Sequence, residues 1–346
     1  MVLGVMTLSA LSFTNHNLRS IYSRPPSQWP APSIDPGVKW NELGPITLAP
    51  GDFSNDSVRK IIELGKILFF DNRLSGSMKI SCATCHKPEM SWTDRVEKSA
   101  GHEGSFSKRN AQTILNSWFY DRLFWDGRSS SLEDQAFSPI NSETEMHGDM
   151  PGLPRRLKKI NAYPELFNIA FGDPEIDPDK IASALAHFQR TLSSSPSKFD
   201  RFLQGDKKAL SNSELKGLHL FRTKARCMNC HHGSMFSDDG FHNNGFHTDA
   251  EIEKDKGYYN VSHDENDMGK FRTPSLRDVV FTNPWMHSGK EKSLETIIEH
   301  YSKMITRTDS LLKPLALSKK ERANLLAFLG AISTQPPPFN PPVLPQ

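Results

Sequence analysis

Two short stretches carry the chemistry of this chain: Cys82-Ala83-Thr84-Cys85-His86 and Cys227-Met228-Asn229-Cys230-His231. Both read Cys-x-x-Cys-His. Two thiols at that spacing add across the vinyl groups of a c-type haem, and the histidine that follows lies under the iron as proximal ligand. All four cysteines of the chain are used in this way. A four-cysteine zinc site would explain the cysteines but not a histidine directly after each pair. A thioredoxin-like redox pair would need a βαβ setting, and neither motif has one. Two covalent c-type haems are expected, attached through Cys82, Cys85, Cys227 and Cys230, with His86 and His231 on the irons.

The chain has 346 residues, room for two ordinary domains. Its 42 basic and 40 acidic residues leave a net charge of +2. That balance gives no electrostatic basis for binding nucleic acid or an anionic membrane. No apolar run reaches the length of a membrane span. Met1–Phe13 resembles the apolar core of a secretory signal without its basic start. Covalent c-type haem implies assembly outside the cytoplasm, so a periplasmic location is expected.

The elements around the motifs follow from periodicity and punctuation. Residues 1–53 read as a signal-like start and a proline-rich arm with little regular structure, pinned to the body by Trp29 and Trp40. Val58, Ile61, Ile62, Gly65 and Leu68 share one helical face and predict a helix over 56–70. A second helix is expected over 178–192, with Ile181, Leu185, Phe188 and Leu192 inward. Ser211-x-x-Glu214 and Ser318-x-x-Glu321 are capping boxes, opening helices before the second motif and near the end of the chain. The halves share a pattern: Gly65-x-x-Leu68-Phe69 precedes the first motif and Gly217-x-x-Leu220-Phe221 the second. Asp94 and Asp239 each lie eight residues past the motif histidine. The expected fold is all-α, two tandem cytochrome c-like domains arising from internal duplication. The boundaries are 54–196 for the first domain and 197–335 for the second, followed by an extended Pro-rich tail, 336–346. Residues 232–269 read as a long loop whose histidines (His232, His242, His247, His263) lie at the surface.

Three further segments carry a family resemblance: Arg109-Asn110-Ala111-Gln112-Thr113, Phe124-Trp125-Asp126-Gly127-Arg128, and Phe271-Arg272-Thr273-Pro274-Ser275-Leu276-Arg277 leading to Pro284-Trp285-Met286-His287. With the two haem motifs they resemble the bacterial dihaem cytochrome c peroxidase superfamily over residues 56–332. Trp92-Thr93-Asp94 looks more like the MauG branch, and the methanobactin-associated MbnH type resembles the whole pattern.

The resemblance implies roles for particular residues. Trp125 matches the tryptophan that relays electrons between the haems. Asn110, with the backbone carbonyls of Thr282 and Pro284, matches an inter-domain calcium site, and oxygen donors suit that cation. Glu145 matches the distal acid of the peroxide-binding haem, placed to move a proton during O–O cleavage. Glu143 is its local competitor, and Gln135 and Pro139 match the surrounding pocket. Tyr301 falls where conventional dihaem peroxidases carry a methionine ligand to the second haem and MauG-like proteins a tyrosine. Leu294, Ile297, Ile298 and Tyr301 share one face of a helix expected over 293–304, and Met304, one turn on, is the alternative ligand. His102 aligns with the histidine that closes the peroxide haem at rest in conventional members.

These roles imply an H2O2-dependent dihaem enzyme that shares oxidising equivalents between two haems and oxidises Trp or Tyr residues of a periplasmic partner protein. A phenolate at the second iron favours its oxidised states, whereas a thioether favours the ferrous state. A peroxidase fed by a small cytochrome c or cupredoxin is the alternative, and a non-enzymatic dihaem electron carrier is a third reading. Trp92, Trp118 and Trp285 are the tryptophans through which charge could leave.

Overall fold

The computed structural model describes residues 15–303 and 309–346. The signal-like Met1–Phe13 and the alternative ligand Met304 lie outside the described residues. The principal helices are α1 (Asn15–Tyr22), α2 (Asp56–Phe70), α3 (Leu132–Asn141), α4 (Ala162–Phe171), α5 (Pro178–Arg190), α6 (Asn212–Arg222), α7 (Leu294–Lys303) and α8 (Lys319–Ala331). Among the described residues, strand is confined to an antiparallel pair, β1 (Phe241–His242) and β2 (Phe271–Arg272), with Phe241 opposite Arg272. The fold is helical, as expected.

The helices that cross in each half start at side-chain caps. Asn55 accepts from the backbone N–H of Ser57 and Val58 at the head of α2, and Asp177 accepts from Lys180 at the head of α5. Ser211 and Ser318 form full capping boxes with Glu214 and Glu321. Each half then crosses two of these helices at a glycine. A Cβ on Gly65 of α2 would lie 1.8 Å from the Ala184 carbonyl oxygen of α5. A Cβ on Gly217 of α6 would lie 2.0 Å from the Asn324 carbonyl oxygen of α8. The glycine shared by the two halves is therefore the point where the helix backbones touch.

Two apolar clusters form around these crossings. One joins Leu64, Leu68, Phe69, Trp92, Leu185 and Phe188. The other joins Leu215, Leu218, Phe221, Phe236, Phe328 and Leu329. The ends of the chain cross over between them. The N-terminal arm packs on the second cluster through Leu18, Tyr22, Trp29 and Leu43. The C-terminal tail packs on the first, where Phe339 stacks on Phe70 at 5.5 Å and meets Trp92 edge-on at 5.0 Å.

The arm departs from the sequence reading in two ways. It contains a helix, α1, because Leu18 and Tyr22 are one turn apart and both are buried against the second cluster. Trp29 does anchor it: the ring is buried, its Nε1 donates to the Arg24 carbonyl at 2.9 Å, and the Arg222 guanidinium lies over it at 5.1 Å. Trp40 is 39% exposed and pins nothing. Glu42 takes the anchoring role instead, paired with the buried Arg222.

The 232–269 region is also more ordered than a loop reading allows. It carries the short helices Asp249–Lys254 and Tyr259–Ser262. His263 is exposed, but His232 is buried and His242 and His247 are largely covered. His242 is held between Asp238 and Asp309, at 2.8 Å from each, and the His247 ring lies tilted against His287 at 4.1 Å. Composition alone does not reveal partners that distant in the chain.

A candidate dihaem active site

The two motif histidines are prepared in the same way. Cys82–Cys85 forms one helical turn, and the His86 N–H closes it on the Cys82 carbonyl at 3.0 Å. His86 Nδ1 lies 3.1 Å from the Trp92 carbonyl oxygen. His231 Nδ1 lies 2.9 Å from the Phe236 carbonyl oxygen. A carbonyl can only accept, so each Nδ1 carries the proton and each Nε2 keeps its lone pair for iron. Burial holds both rings below the ordinary imidazole pKa, against the hydrogen bonds to Trp92 and Phe236, which keeps them neutral as ligands must be.

The two motifs face separate cavities, and no four-cysteine metal site forms among the described residues. Cys82, Cys85 and His86 line a cavity of about 820 Å³. Cys230 and His231 line a narrower slot of about 180 Å³. Burial pushes the thiols of Cys82 and Cys227 up to about 12 and Cys85 to about 11. A histidine with a free Nε2 beside two thiols on one cavity wall is the donor set a covalent haem requires; the first cavity shows it whole, and the second shows His231 with Cys230 on the wall and Cys227 three residues before Cys230.

The cavities differ on the side away from these motifs. Glu145, Gln135 and Pro139 line the large one. Glu145 follows the end of α3 in a turn closed by its N–H on the Ser142 carbonyl. Burial pushes its pKa up, with Arg128 and Lys108 opposing. Glu143 is exposed. His102 does not line the cavity. Its backbone N–H donates to the Glu145 carbonyl at 2.9 Å, and its ring stacks on His147 at 4.3 Å. In the slot, Tyr301 on α7 shares the lining with His231, Met286, Leu294 and Ile297. Burial raises its phenol above the ordinary value, and Asn244 opposes that through a hydrogen bond. Phe246 meets the ring edge-on at 5.8 Å.

The three other motif segments meet at the seam between the cavities. Trp125 is buried and lines both. Its Nε1 donates to the Asn110 carbonyl at 3.0 Å, and its own carbonyl accepts from the Arg272 N–H at 2.9 Å. The Asn110 N–H donates to the His287 carbonyl, and Phe271 stacks on His287 at 3.4 Å. Arg109 clamps the group, pairing with Asp126 and Asp255 at 2.6 Å each. Asn110, Thr282 and Pro284 line the slot together. Of the tryptophans considered as exits, Trp92 is buried, while Trp118 and Trp285 are partly buried and spend their N–H groups on Ser193 and the Val279 carbonyl.

Sequence reasoning assigned no role to Tyr120, Gln112 or Arg272, all of which line both cavities. Arg272 stood in a quoted motif, but nothing in a sequence marks an arginine as buried. Tyr120 lies just outside the motif at 124–128, and its place depends on the Arg272 guanidinium lying 3.5 Å over its ring.

Fold and site together define a class: a helical protein with two haem-attachment sites joined by a tryptophan, one site open and one narrow. Comparison with known proteins agrees. The family model for di-haem cytochrome c peroxidase matches residues 59–208. The methylamine utilization protein MauG of Methylophilus methylotrophus is 39% identical over 298 residues, covering 83% of this chain and 88% of that protein. The cytochrome-c peroxidase IdrP1 of Pseudomonas sp. (strain SCT) is 36% identical over 327 residues, covering 85% and 86%. A solved structure of a MauG-like protein associated with microbial copper homeostasis matches with a TM-score of 0.76 at 29% identity, covering 85% of this chain and 95% of that one. The chain belongs to the dihaem cytochrome c peroxidase family, with its MauG-like members, and is a dihaem peroxidase, an oxidoreductase whose cofactors are haems. No helix among the described residues is long and apolar enough to cross a membrane.

Proposed function

We propose that this enzyme uses H2O2 to oxidise an aromatic side chain, Trp or Tyr, of a partner protein in the periplasm, in the manner of MauG. The observation that carries this reading is Tyr301, which shares the narrow slot with His231. A phenol oxygen that binds the second iron as phenolate is a hard anionic donor. It holds that haem in oxidised states and makes it a poor acceptor from a small electron carrier. Haems held by Cys82, Cys85 and His86 and by Cys227, Cys230 and His231 would supply the redox chemistry for two-electron reduction of peroxide.

The chain's own residues do the proton work and the positioning. Glu145, as carboxylate, would take a proton from one peroxide oxygen and return it to the other, which leaves as water. Gln135 and Pro139 shape the space in front of it. Trp125 keeps its N–H on the Asn110 carbonyl and so offers a fixed indole between the two sites. In this reading the two halves are tandem cytochrome c-like domains, and a calcium ion held by Asn110 and the carbonyls of Thr282 and Pro284 stiffens the seam between them. In this reading His102, which stacks on His147, is not a ligand of the first haem.

The second reading is a peroxidase supplied by a small cytochrome c or cupredoxin. It has the 36% identity to a cytochrome-c peroxidase in its favour, close to the 39% identity to MauG. One experiment separates them. Stoichiometric H2O2 is added to the fully ferric protein and both haem spectra are followed. A long-lived state with both haems altered, reached without prior reduction and discharged onto tryptophan or tyrosine of a partner as mass spectrometry would read, supports the MauG-type reading. Reactivity that appears only after one-electron reduction supports the carrier-fed peroxidase and overturns it.

A further inference from the structure

Arg272 is the one charged residue among the described residues that lines both cavities. It is 3% exposed. Its Nε donates to the Phe124 carbonyl at 3.2 Å, and its Nη2 to Gln112 Oε1 at 3.1 Å. Nη1 is buried and has no hydrogen-bond partner. The nearest carboxylate oxygen, Asp239 Oδ1, is 4.0 Å away, outside hydrogen-bond distance, and is itself unpartnered.

The guanidinium cannot swing away to find water. Its plane is fixed by Gln112 and by the Tyr120 ring 3.5 Å beneath it, and its backbone is tied to Trp125 and paired with Phe241. A buried guanidinium edge with no hydrogen-bond partner is unfavourable, and buried polar groups almost always have partners. Asp239 does not fill that need. Its Oδ1 stays 4.0 Å from Nη1, outside hydrogen-bond distance, and its other oxygen takes the Asp121 N–H at 2.8 Å.

The missing partner is therefore an anion that enters both cavities. Each cavity takes a haem, and a haem carries two carboxylates. Nη1 has two N–H groups to offer, and guanidinium–carboxylate hydrogen bonds are the strong, charge-assisted kind. We propose that the Nη1 edge of Arg272 binds haem carboxylates at the seam, tying both haems to one buried cation. The proposal rests on both cavities holding a haem. Arg272 is a positioning residue in this account. Its charge favours the reduced, less positive form of each haem, and it links the charge state of one to the potential of the other.

The test is electrochemical and needs no peroxide. Arg272→Gln and Arg272→Lys are prepared as holoproteins, counted for haem, and titrated by spectroelectrochemistry at one pH. In Arg272→Gln both reduction equilibrium constants should fall about tenfold, which is 59 mV for a one-electron couple. Arg272→Lys, which keeps the charge but not the fork, should recover at least half of that shift at both haems. Potentials that stay put, a shift at one haem only, or equal shifts in the two variants would each overturn the proposal. If Arg272→Gln does not assemble, the carboxylate-bending bands of the haems in Arg272→Lys decide by resonance Raman: both sets should move relative to the unsubstituted protein, and unmoved bands overturn it. Fewer than two haems in the unsubstituted protein would instead defeat the dihaem class, a failure distinct from unchanged potentials.

Discussion

In the first half of the molecule Phe69, Trp92 and Phe188 pack against one another at 5.3–6.0 Å, with interplanar angles of 62–71°. In the second, Phe221, Phe236 and Phe328 do the same at 5.4–6.2 Å and 61–76°. Members of these triads correspond one to one. Phe69 and Phe221 each lie four residues past the crossing glycine, Phe188 and Phe328 come from the helix crossed, and Trp92 and Phe236 supply the carbonyl that orients the motif histidine. The match ends on the other side of each cavity. The first has Glu145 and about 820 Å³; the second has Tyr301 and about 180 Å³. Holding a haem and orienting its histidine impose one solution, used twice. In the proposed function, reacting with peroxide and storing charge ask for different residues, and it is on this side that the two cavities differ.

The largest expected effect comes from removing the acid that makes the first site different. Glu145→Gln keeps the shape and loses the proton transfer, so the second-order rate with H2O2 should fall about 10²–10⁴-fold, measured by stopped flow, with both haems still bound. Glu143→Gln, on an exposed side chain, should leave the rate within about twofold, since surface changes away from the reacting groups do little. The carboxyl must be ionised to accept the peroxide proton. Burial raises its pKa, so the rate should fall with acidification from above the ordinary carboxylate range, and that limb should vanish in Glu145→Gln.

Tyr301→Met tests the other arm of the comparison. A thioether in place of the phenol should raise the second haem's potential by about 0.1 V or more, within the roughly 0.8 V that axial ligands command. The state formed by stoichiometric peroxide on the ferric protein should then no longer persist. An unchanged second-haem spectrum in this variant would remove Tyr301 from the iron and, with it, the chief support for partner-protein oxidation.

How far the sequence disclosed this asymmetry depends on the residue. The Cys-x-x-Cys-His motifs, the α2 boundaries and both capping boxes were legible because each is a local signal: fixed spacing, helical periodicity, a cap three residues from its partner. The shared Gly65 and Gly217 were visible as a pattern, but their reason was not, since the opposing carbonyls of Ala184 and Asn324 lie more than a hundred residues along the chain. Glu145 and Tyr301 were named through resemblance. Spacing alone did not separate Glu145 from Glu143; burial does. Arg272, Tyr120 and the His242 pair of carboxylates were out of reach because their significance lies in partners brought together by the fold.

The helix crossings offer a test of the sameness of the halves. Gly65→Ala and Gly217→Ala each drive a methyl into a backbone carbonyl, at 1.8 and 2.0 Å before relaxation. Each should cost about 1–3 kcal/mol as overpacking, read by thermal unfolding of the holoprotein. Near-equal costs support equivalent crossings. A much smaller cost at either would show that one pair of helices is free to slide.

The smallest effect separates the halves again, through their caps. α2 and α5 open on Asn55 and Asp177, whereas α6 and α8 open on serine–glutamate boxes. Burial works against ionisation of Glu214, but the Ser211 N–H, the Lys198 ammonium and the Ser211 hydroxyl outweigh it and hold the carboxyl below its ordinary value. Glu321 is lowered in the same manner, with Lys224 and Ser318 overcoming burial. A depressed carboxylate contributes stability that is present above its unfolded value, about 4.3 for glutamate, and is lost as pH falls through the folded value. Acidification from pH 6 to 3.5 should therefore loosen α6 and α8 more than α2, whose Asn55 cap does not titrate. The difference should be about 1 kcal/mol, the usual worth of one cap, read as amide exchange at the helix starts. Glu214→Gln should cost stability at pH 6 and flatten the pH dependence at α6 alone. Equal acid loosening at α2 and α6 would mean that the boxes do not set the stability of the second crossing.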